Sequence, residues 1–338
     1  MAEIKAAVIG VGSMGTHHAR VYSEIPDVEL VGIADIDAAA VERISRRHGC
    51  PAYTDFRALL DEQKPEIVSV AVPTAMHLPV ALEVTQRGIH LLVEKPIAPD
   101  VGEGLQIIQA AERTGVHLMV GHIERFNPAI LALKERLEAG ELGQIFQIEA
   151  RREGPFPTRV NDVGVTIDLA VHDLDIIRYV TGAEIERVYA ETERHVHQTH
   201  EDMLNALIRL RDGTVGTLVI NWLTPTKIRE LYITGERGMF RVNYITQDMF
   251  FYENGTVNDE SWQTLQILRG VSEGRMISHV IKKREPLRVE LEAFLAAIQG
   301  KASVAVSGQD SLKVLMLARA LVHSGTENRP ILVDDLIL

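Results

Sequence analysis

Residues 4–15 read IKAAVIGVGSMG, and this stretch decides the fold of the chain. Its first part, Ile4 to Ile9, is a short apolar run of the kind that forms a central parallel strand. A glycine pattern of the form G-x-G-x-x-G follows at once, and Thr16 to Ser23 then reads as a helix. Glycines in this setting let the backbone approach a pyrophosphate, and the helix N-terminus offers it N–H donors. We therefore predict a dinucleotide site that includes Gly10, Gly12, Ser13, Met14 and Gly15.

Asp35 stands where such a site needs a carboxylate, directly after the second predicted strand, Val28 to Ala34. A carboxylate there accepts hydrogen bonds from the ribose hydroxyls of the adenosine and repels a 2′-phosphate. Asp37 adds a second negative charge, and no arginine follows at once to neutralise a phosphate. The sequence therefore favours NAD over NADP as the cofactor. The alternative is that Asp35 only caps the helix predicted for Ala38 to His48.

Helices and strands alternate through the rest of the N-terminal part. Further strands are predicted at 67–72, 89–93 and 116–120, and further helices at 55–62, 77–87 and 100–114. Such alternation is typical of a doubly wound α/β domain, here with six strands. We place this domain at residues 1–122.

The run LLVEKP at residues 91–96 ends a predicted buried strand in a carboxylate, an ammonium and a proline. Buried strands carry charges at their ends, and doubly wound sheets bind ligands beyond the carboxyl ends of their strands. We therefore predict cofactor contacts from Glu94 and Lys95, together with Pro73, Thr74 and His77 after the preceding strand. Two simpler interpretations stay open: Lys95 pairs with a surface neighbour, and His77 begins a helix without binding a ligand.

After residue 122 strand signals dominate, so we predict an α+β domain with an antiparallel sheet over residues 123–338. Asp212-Gly213 separates two runs of alternating residues and predicts a hairpin turn. The strand predicted at 214–222 is fairly apolar on both faces, so we expect helices on one face and a second subunit on the other. Closing helices are predicted within residues 290–323.

Composition limits the function classes. The 338 residues carry a formal net charge of −12, which argues against nucleic acid or an anionic membrane as the main partner. The one cysteine, Cys50, cannot form an internal disulfide, and no apolar stretch approaches the ~20 residues of a membrane span. No signal-peptide pattern opens the chain. We therefore expect a cytoplasmic globular protein of two domains.

A second candidate constellation lies in the C-terminal half, where Asp168 and His172 are spaced i, i+4 on a predicted helix. Side chains at this spacing are neighbours, and a carboxylate beside an imidazole orients the ring and stabilises its protonated form. The pair is suited to take a proton from an alcohol while hydride leaves its carbon, with Lys95 hydrogen-bonding the same oxygen. One alternative is a helix cap beside an interior histidine.

A metal site is the other alternative, because potential ligands crowd this region. They are Asp168, His172, Asp173 and Asp175, with a second cluster at His195, His197 and His200. Adjacent residues on a helix point in different directions, and the second cluster lies in a polar connection. We therefore predict that no metal is bound.

Three motifs, in this order and spacing, resemble those of the glucose–fructose oxidoreductase/inositol dehydrogenase family of NAD(P)-dependent oxidoreductases. They are Gly10-x-Gly12-x-x-Gly15, Glu94-Lys95-Pro96 and Asp168-x-x-x-His172. The resemblance covers essentially the whole chain. It implies a Rossmann domain and an open-faced antiparallel sheet used to form a homodimer or homotetramer. It also implies that Lys95, Asp168 and His172 are catalytic, with His172 as the acid/base.

Within the family, residues 121–128 and 162–175 look most like the enzymes that oxidise the 3-hydroxyl of UDP-N-acetylglucosamine with NAD. A diphosphate needs cations, and the substrate-binding candidates are Arg125, Asn127, Arg151, Arg152, Arg159 and His172. Solvated surface charge or pairing at a domain interface is the alternative for the arginines. Two rival functions stay open: a free-sugar or cyclitol dehydrogenase of the myo-inositol type, and a dinucleotide-binding sensor without catalysis.

Overall fold

The computed structural model describes residues 3–157, 163–255 and 273–335 of the chain. Within these ranges the strands form two sheets, one of six strands in the N-terminal part and one of nine in the C-terminal part. The predicted fold class, a doubly wound α/β domain followed by an α+β domain, is confirmed. In the same ranges, no helix is both long enough and apolar enough to cross a membrane.

The first sheet is parallel, with the strand order β3-β2-β1-β4-β5-β6. Its strands are β1 Ile4–Ile9, β2 Val28–Ala34, β3 Ala52–Tyr53, β4 Ile67–Val70, β5 His90–Glu94 and β6 Leu118–Gly121. The helices that alternate with them are α1 Ser13–Glu24, α2 Ala38–His48, α3 Phe56–Gln63, α4 His77–Gln86 and α5 Val101–Thr114. The strand order reverses between β1 and β4, and doubly wound sheets bind ligands at such a switch point.

The central strands of this sheet are buried on both faces, as their continuous apolar sequences predict. Two polar residues are exceptions. Ser69 is buried in the middle of β4, and Glu94 is buried at the end of β5. Buried polar groups need hydrogen-bond partners, so these two positions mark a polar interior beneath the ligand edge of the sheet.

The second sheet is mixed, with the strand order β14-β13-β12-β11-β7-β10-β9-β8-β15. Its strands are β7 Ile145–Glu153, β8 Ile185–Glu193, β9 Met203–Leu210, β10 Val215–Asn221, β11 Ile228–Gly235, β12 Gly238–Asn243, β13 Asp248–Asn254, β14 Glu273–His279 and β15 Ile331–Leu332. The remaining helices are α6 Pro128–Glu138, α7 Val171–Thr181, α8 Pro286–Ile298 and α9 Gly308–Glu327. The predicted antiparallel pattern holds except at one central pair, because β7 and β10 run parallel. The chain returns beside β7 only after α7, β8 and β9, and residue alternation does not reveal that direction.

One face of the second sheet is buried and the other is more exposed. Along β9 every second residue is buried, from Leu204 to Leu210, and the residues between them are exposed. Leu207 is 52% exposed on the open face. The predicted hairpin turn at Asp212-Gly213 is present, with Gly213 at φ 92°. An open-faced sheet is therefore found, and its use in oligomerisation stays a prediction.

Contacts divide the chain into two compact units. The first contains residues 1–126 and 285–316, and the second contains residues 127–284 and 317–337. The segment 285–316, which the sequence analysis assigned to the C-terminal domain, thus packs with the N-terminal residues. The Val120 N–H donates to the carbonyl oxygen of Val306, which extends the edge of the first sheet. The domain boundary after residue 122 stays a prediction.

Candidate functional site

The loop between β1 and α1 gives its three glycines different surroundings. Gly10 has φ 88°, and a Cβ there would lie 2.5 Å from the carbonyl oxygen of Ala71. A Cβ on Gly15 would lie 1.8 Å from the carbonyl oxygen of Gly10. A Cβ on Gly12 would meet nothing within 4 Å. Gly10 and Gly15 are therefore required by packing, whereas Gly12 borders open space that a phosphate can approach.

The start of α1 is suited to an anion. Gly12 is the N-cap of this helix, its first turn contains no acidic residue, and the described side chains provide no cap. The first N–H groups of a helix lack intrahelical acceptors, and they carry a partial positive charge. Ser13 and Met14 thus lie where a pyrophosphate would find uncapped donors, as predicted from the sequence.

Asp35 lies just beyond β2, and its carboxylate is held by the backbone. Oδ2 accepts a hydrogen bond from the Val11 N–H at 2.7 Å, and Oδ1 accepts one from the Asp37 N–H at 3.0 Å. A carboxylate has about four acceptor positions, so two remain for ribose hydroxyls. Asp37, not Asp35, caps α2 by accepting from Ala39 and Ala40. The helix-cap alternative for Asp35 is therefore wrong, and the loop, the helix start and Asp35 together fit NAD.

Replacing Asp35 by asparagine is expected to lower the preference for NAD over NADP by at least about tenfold. The amide keeps the shape of the side chain and removes the charge that repels a 2′-phosphate. Dissociation constants for both cofactors measure the effect. Asp55→Asn is the matched control, because Asp55 also accepts a backbone hydrogen bond, from the Arg57 N–H at 2.9 Å. An unchanged NAD:NADP ratio in Asp35→Asn would contradict the assignment.

The end of β5 presents the charged pair that the sequence singled out. β5 ends at Glu94, Lys95 follows half-buried, and the Lys95–Pro96 peptide is cis. The Glu94 carboxyl lies over Gly121, the last residue of β6, where a Cβ would be 3.1 Å from Oε1. Gly121 thus leaves room for this carboxyl, a role that the sequence analysis missed because neighbouring strand ends are not visible in a single sequence.

His77 is more deeply placed than the other two residues predicted after β4. Pro73 is exposed and Thr74 half-buried, whereas His77 is 1% exposed and begins α4. Its Nδ1 lies 3.0 Å from the Pro96 oxygen and its Nε2 3.1 Å from the Val72 oxygen. Burial lowers the pKa of His77. These contacts favour the helix-start interpretation, in which the ring joins the turns after β4 and β5.

Asp168 and His172 lie where a π turn leads into α7. The π turn is Thr166–Ala170, so Asp168 is inside it and His172 is the second residue of α7. Both side chains are half-buried. Val165 and Ala170 occupy the N-cap positions, so the interpretation of Asp168 as a helix cap is wrong. Single π turns are rare and concentrate at functional sites.

Two features that the sequence analysis missed hold this helix start. A Cβ on Gly164 would lie 2.2 Å from the Glu201 carboxylate, which accepts a hydrogen bond from the Thr166 N–H at 3.2 Å. Arg152 forms a buried two-contact ion pair with Asp173, with distances of 2.7 and 3.1 Å. Glu201 and Arg152 therefore fix the backbone on both sides of the Asp168–His172 segment.

Strand alternation separates the two neighbouring arginines of β7. Arg152 points to the face against which α7 packs, whereas Arg151 points to the opposite face and pairs with Glu153 at 2.8 Å. The structure therefore does not bring Arg151 together with His172. Arg152 is close to α7 but is engaged by Asp173, which favours a structural role.

The other substrate-binding candidates differ in their surroundings. Arg125 is buried, with Nη1 3.3 Å from the Ala305 oxygen and 3.7 Å from Asp310. Asn127 caps α6 through the Ala129 N–H and donates to the Tyr244 oxygen at 3.0 Å. Arg159 lies outside the described residues. Substrate contacts from these positions stay predictions.

The histidine cluster considered as a metal site is organised by a carboxylate. Asp202 accepts hydrogen bonds from the backbone N–H groups of His195, Val196 and His197. Nδ1 of His197 accepts from the backbone of His200 at 3.0 Å. Over the described ranges, no group of three His, Cys, Asp or Glu residues is arranged to hold a metal ion.

Comparisons with known proteins agree with this architecture. A model of the "oxidoreductase family, NAD-binding Rossmann fold" matches residues 4–122, and a model of the "GFO/IDH/MocA C-terminal domain" matches residues 130–241. The UDP-N-acetylglucosamine 3-dehydrogenase of Acidithiobacillus ferrooxidans is 32% identical over 318 residues, covering 94% of this chain and 96% of its own. A solved structure of that enzyme, GnnA, has a TM-score of 0.84 at 30% identity and covers 96% of this chain and 98% of its own.

A relative with a different named substrate also spans the chain. The inositol 2-dehydrogenase of Rhizobium meliloti is 26% identical over 337 residues, covering 97% of this chain and 98% of its own. The likeness to both relatives extends through both sheets. Since family models match both parts and a relative above 30% identity spans nearly the full length, the chain belongs to the GFO/IDH/MocA family of oxidoreductases, and NAD is its cofactor.

Proposed function

We propose that this protein oxidises a secondary hydroxyl of a nucleotide sugar, and that its substrate is UDP-N-acetylglucosamine, which becomes the 3-keto sugar. The full-length likeness to a UDP-N-acetylglucosamine 3-dehydrogenase, in sequence and in structure, carries this proposal. The full-length inositol dehydrogenase relative favours a cyclitol as the second candidate. A non-catalytic sensor is disfavoured, because pure binding needs neither Lys95 nor the Asp168–His172 pair.

In the proposed mechanism three side chains act on the alcohol. His172 takes the hydroxyl proton as general base, and Asp168 orients the imidazole and stabilises the imidazolium that forms. Lys95 donates a hydrogen bond to the oxygen, and its positive charge stabilises the negative charge that develops there. When bound, the nicotinamide of NAD supplies the acceptor for the hydride that leaves the carbon.

The substrate is tested by following NADH formation with UDP-N-acetylglucosamine, UDP-glucose, free N-acetylglucosamine and myo-inositol. We expect kcat/KM for UDP-N-acetylglucosamine to exceed that for each of the others by at least about 100-fold, because hydrogen bonds to a substrate group strongly reject analogues that lack it. Trapping the product with borodeuteride locates the oxidised carbon, which we expect to be C3. Turnover of myo-inositol alone would replace the first candidate by the second.

For the quaternary structure, we propose a homodimer or homotetramer formed through the open face of the second sheet. Leu207 and Val215 contribute exposed apolar surface to that face, beside the polar residues of β9 and β10. Exposed apolar patches on a sheet are typical of subunit contacts.

A further inference from the structure

A row of buried polar side chains runs behind the turn that carries Lys95, and the mechanism above does not use it. His18 of α1 is fully buried, with Nε2 2.8 Å from Oε1 of Glu94 and Nδ1 3.0 Å from Oγ of Ser69. Oγ of Ser69 lies 2.9 Å from the hydroxyl oxygen of Tyr22. The row thus connects α1, β4 and β5 within the first unit.

The hydrogen-bonding capacities of these groups give the row a direction. A carboxylate can only accept, so Nε2 of His18 donates to Glu94. In a neutral ring Nδ1 is then the acceptor, so Ser69 donates to it and in turn accepts from the Tyr22 hydroxyl. Each donor in this arrangement points toward Glu94. Aligned buried hydrogen bonds of this kind reinforce one another.

A second carboxyl, Glu290 of α8, lies near the same place. It is fully buried, and among the described residues neither of its oxygens has a hydrogen-bond partner. Burial raises the pKa of Glu290 well above its ordinary value, and the nearby Glu94 raises it further. A carboxyl in this situation keeps its proton. Glu94 is therefore the charged member of the two, and it is the one that receives the donor from His18.

We propose that His18 is a positioning residue: backed by Ser69 and Tyr22, it holds the Glu94 carboxylate in place and thereby fixes the turn that carries Lys95. Glu94 and Lys95 are consecutive, and the Glu94 carboxyl is held between His18 and the bare backbone of Gly121. Movement of that carboxyl would shift the Lys95 amine. Displacements of about 1 Å in a catalytic group cost on the order of 100-fold in rate. The inference rests on the proposed function, since it explains how Lys95 is positioned.

The same carboxylate gives a readout that needs no sugar. Asp35 places the adenosine end of NAD at β2, so the other half of the cofactor is expected on the opposite side of β1, toward β4 and β5. A fixed negative charge at the end of β5 favours the oxidised nicotinamide, which is positively charged, over the reduced one. The ratio of the NADH and NAD dissociation constants therefore reports on Glu94.

The experiment combines a substitution series with a double-mutant cycle. His18→Leu removes the donor, His18→Gln restores an N–H at a similar position, and His17→Leu is the matched control on the exposed side of α1. We expect His18→Leu to lower kcat by at least about tenfold with little change in KM. We expect it to reduce the preference for NAD over NADH by about fivefold. His18→Gln should recover most of both losses, and His17→Leu should match the wild type.

The cycle places His18→Leu in a Glu94→Gln background. If His18 acts through Glu94, the substitution adds less than about twofold there to either measurement. Equal losses in both backgrounds, equal failure of His18→Leu and His18→Gln, or wild-type behaviour of His18→Leu would each overturn the proposal. If His18→Leu does not fold, Ser69→Ala replaces it, because it removes the middle of the row with little change in volume. Should the wild type oxidise none of the sugars, the proposed function fails, while the cofactor ratios still decide the role of His18.

Discussion

Replacing Lys95 by methionine is expected to lower kcat by about 1,000-fold while leaving the NAD dissociation constant within about threefold of the wild type. Methionine keeps the apolar stem that packs in this half-buried position and removes the ammonium. Removing a charged group that meets the reacting oxygen removes stabilisation found mainly in the transition state, so kcat falls more than binding. Steady-state kinetics and a separate NAD titration measure the two quantities.

The matched control is Lys301→Met, since Lys301 is an exposed lysine of the same contact unit. It should keep wild-type kcat and NAD affinity. His172→Ala is the companion change in the second unit and is expected to abolish turnover to a similar degree with cofactor binding retained. Survival of turnover in both Lys95→Met and His172→Ala would show that the catalytic roles are wrongly assigned.

Alanine substitutions at two glycines of the same loop should have opposite consequences. Gly15→Ala is expected to destabilise the fold by about 3 kcal/mol or more, because its Cβ would lie 1.8 Å from a backbone oxygen that cannot move alone. Gly12→Ala should leave the free energy of unfolding within about 1 kcal/mol, because its Cβ meets nothing within 4 Å. It should weaken NAD binding by at least about tenfold, since the methyl group occupies the approach of the pyrophosphate.

Denaturant unfolding without cofactor and NAD titration of the folded variants distinguish the two effects. Each variant serves as the control for the other, since both add one methyl group to the same loop. Unchanged NAD affinity in Gly12→Ala would mean that the phosphates bind elsewhere. A Gly15→Ala protein as stable as the wild type would mean that α1 is not pressed against β1 as the structure indicates.

The cofactor-binding half was predictable because local sequence determines it. The strand Val28–Ala34 and the helix Ala38–His48 have the predicted bounds. A continuous apolar run, a capping aspartate and a closing glycine at position 49 leave few alternative structures. The glycine motif adds a ligand to this frame because each glycine has its own steric reason.

The second half was less predictable because its contacts are distant in sequence. In β11, charged residues such as Arg229 and Glu230 interrupt the apolar pattern, and the strand was not recognised. The π turn around Asp168 has no signature in a single sequence, so a regular helix was expected there. The roles of Arg151 and Arg152 depend on which face of β7 meets α7, and composition does not contain that information.

The packing of residues 285–316 with the N-terminal unit has a consequence for biosynthesis. Gly308 lies against Ile108, and Leu312 lies against Gly104, so the helix α5 is covered by segments made near the end of translation. A nascent chain that has just emitted its nucleotide-binding half from the ribosome must therefore wait, with apolar surface uncovered, for nearly the whole polypeptide to emerge. Prematurely terminated chains lack this cover, which would make them targets for chaperones and proteases rather than free-standing cofactor binders.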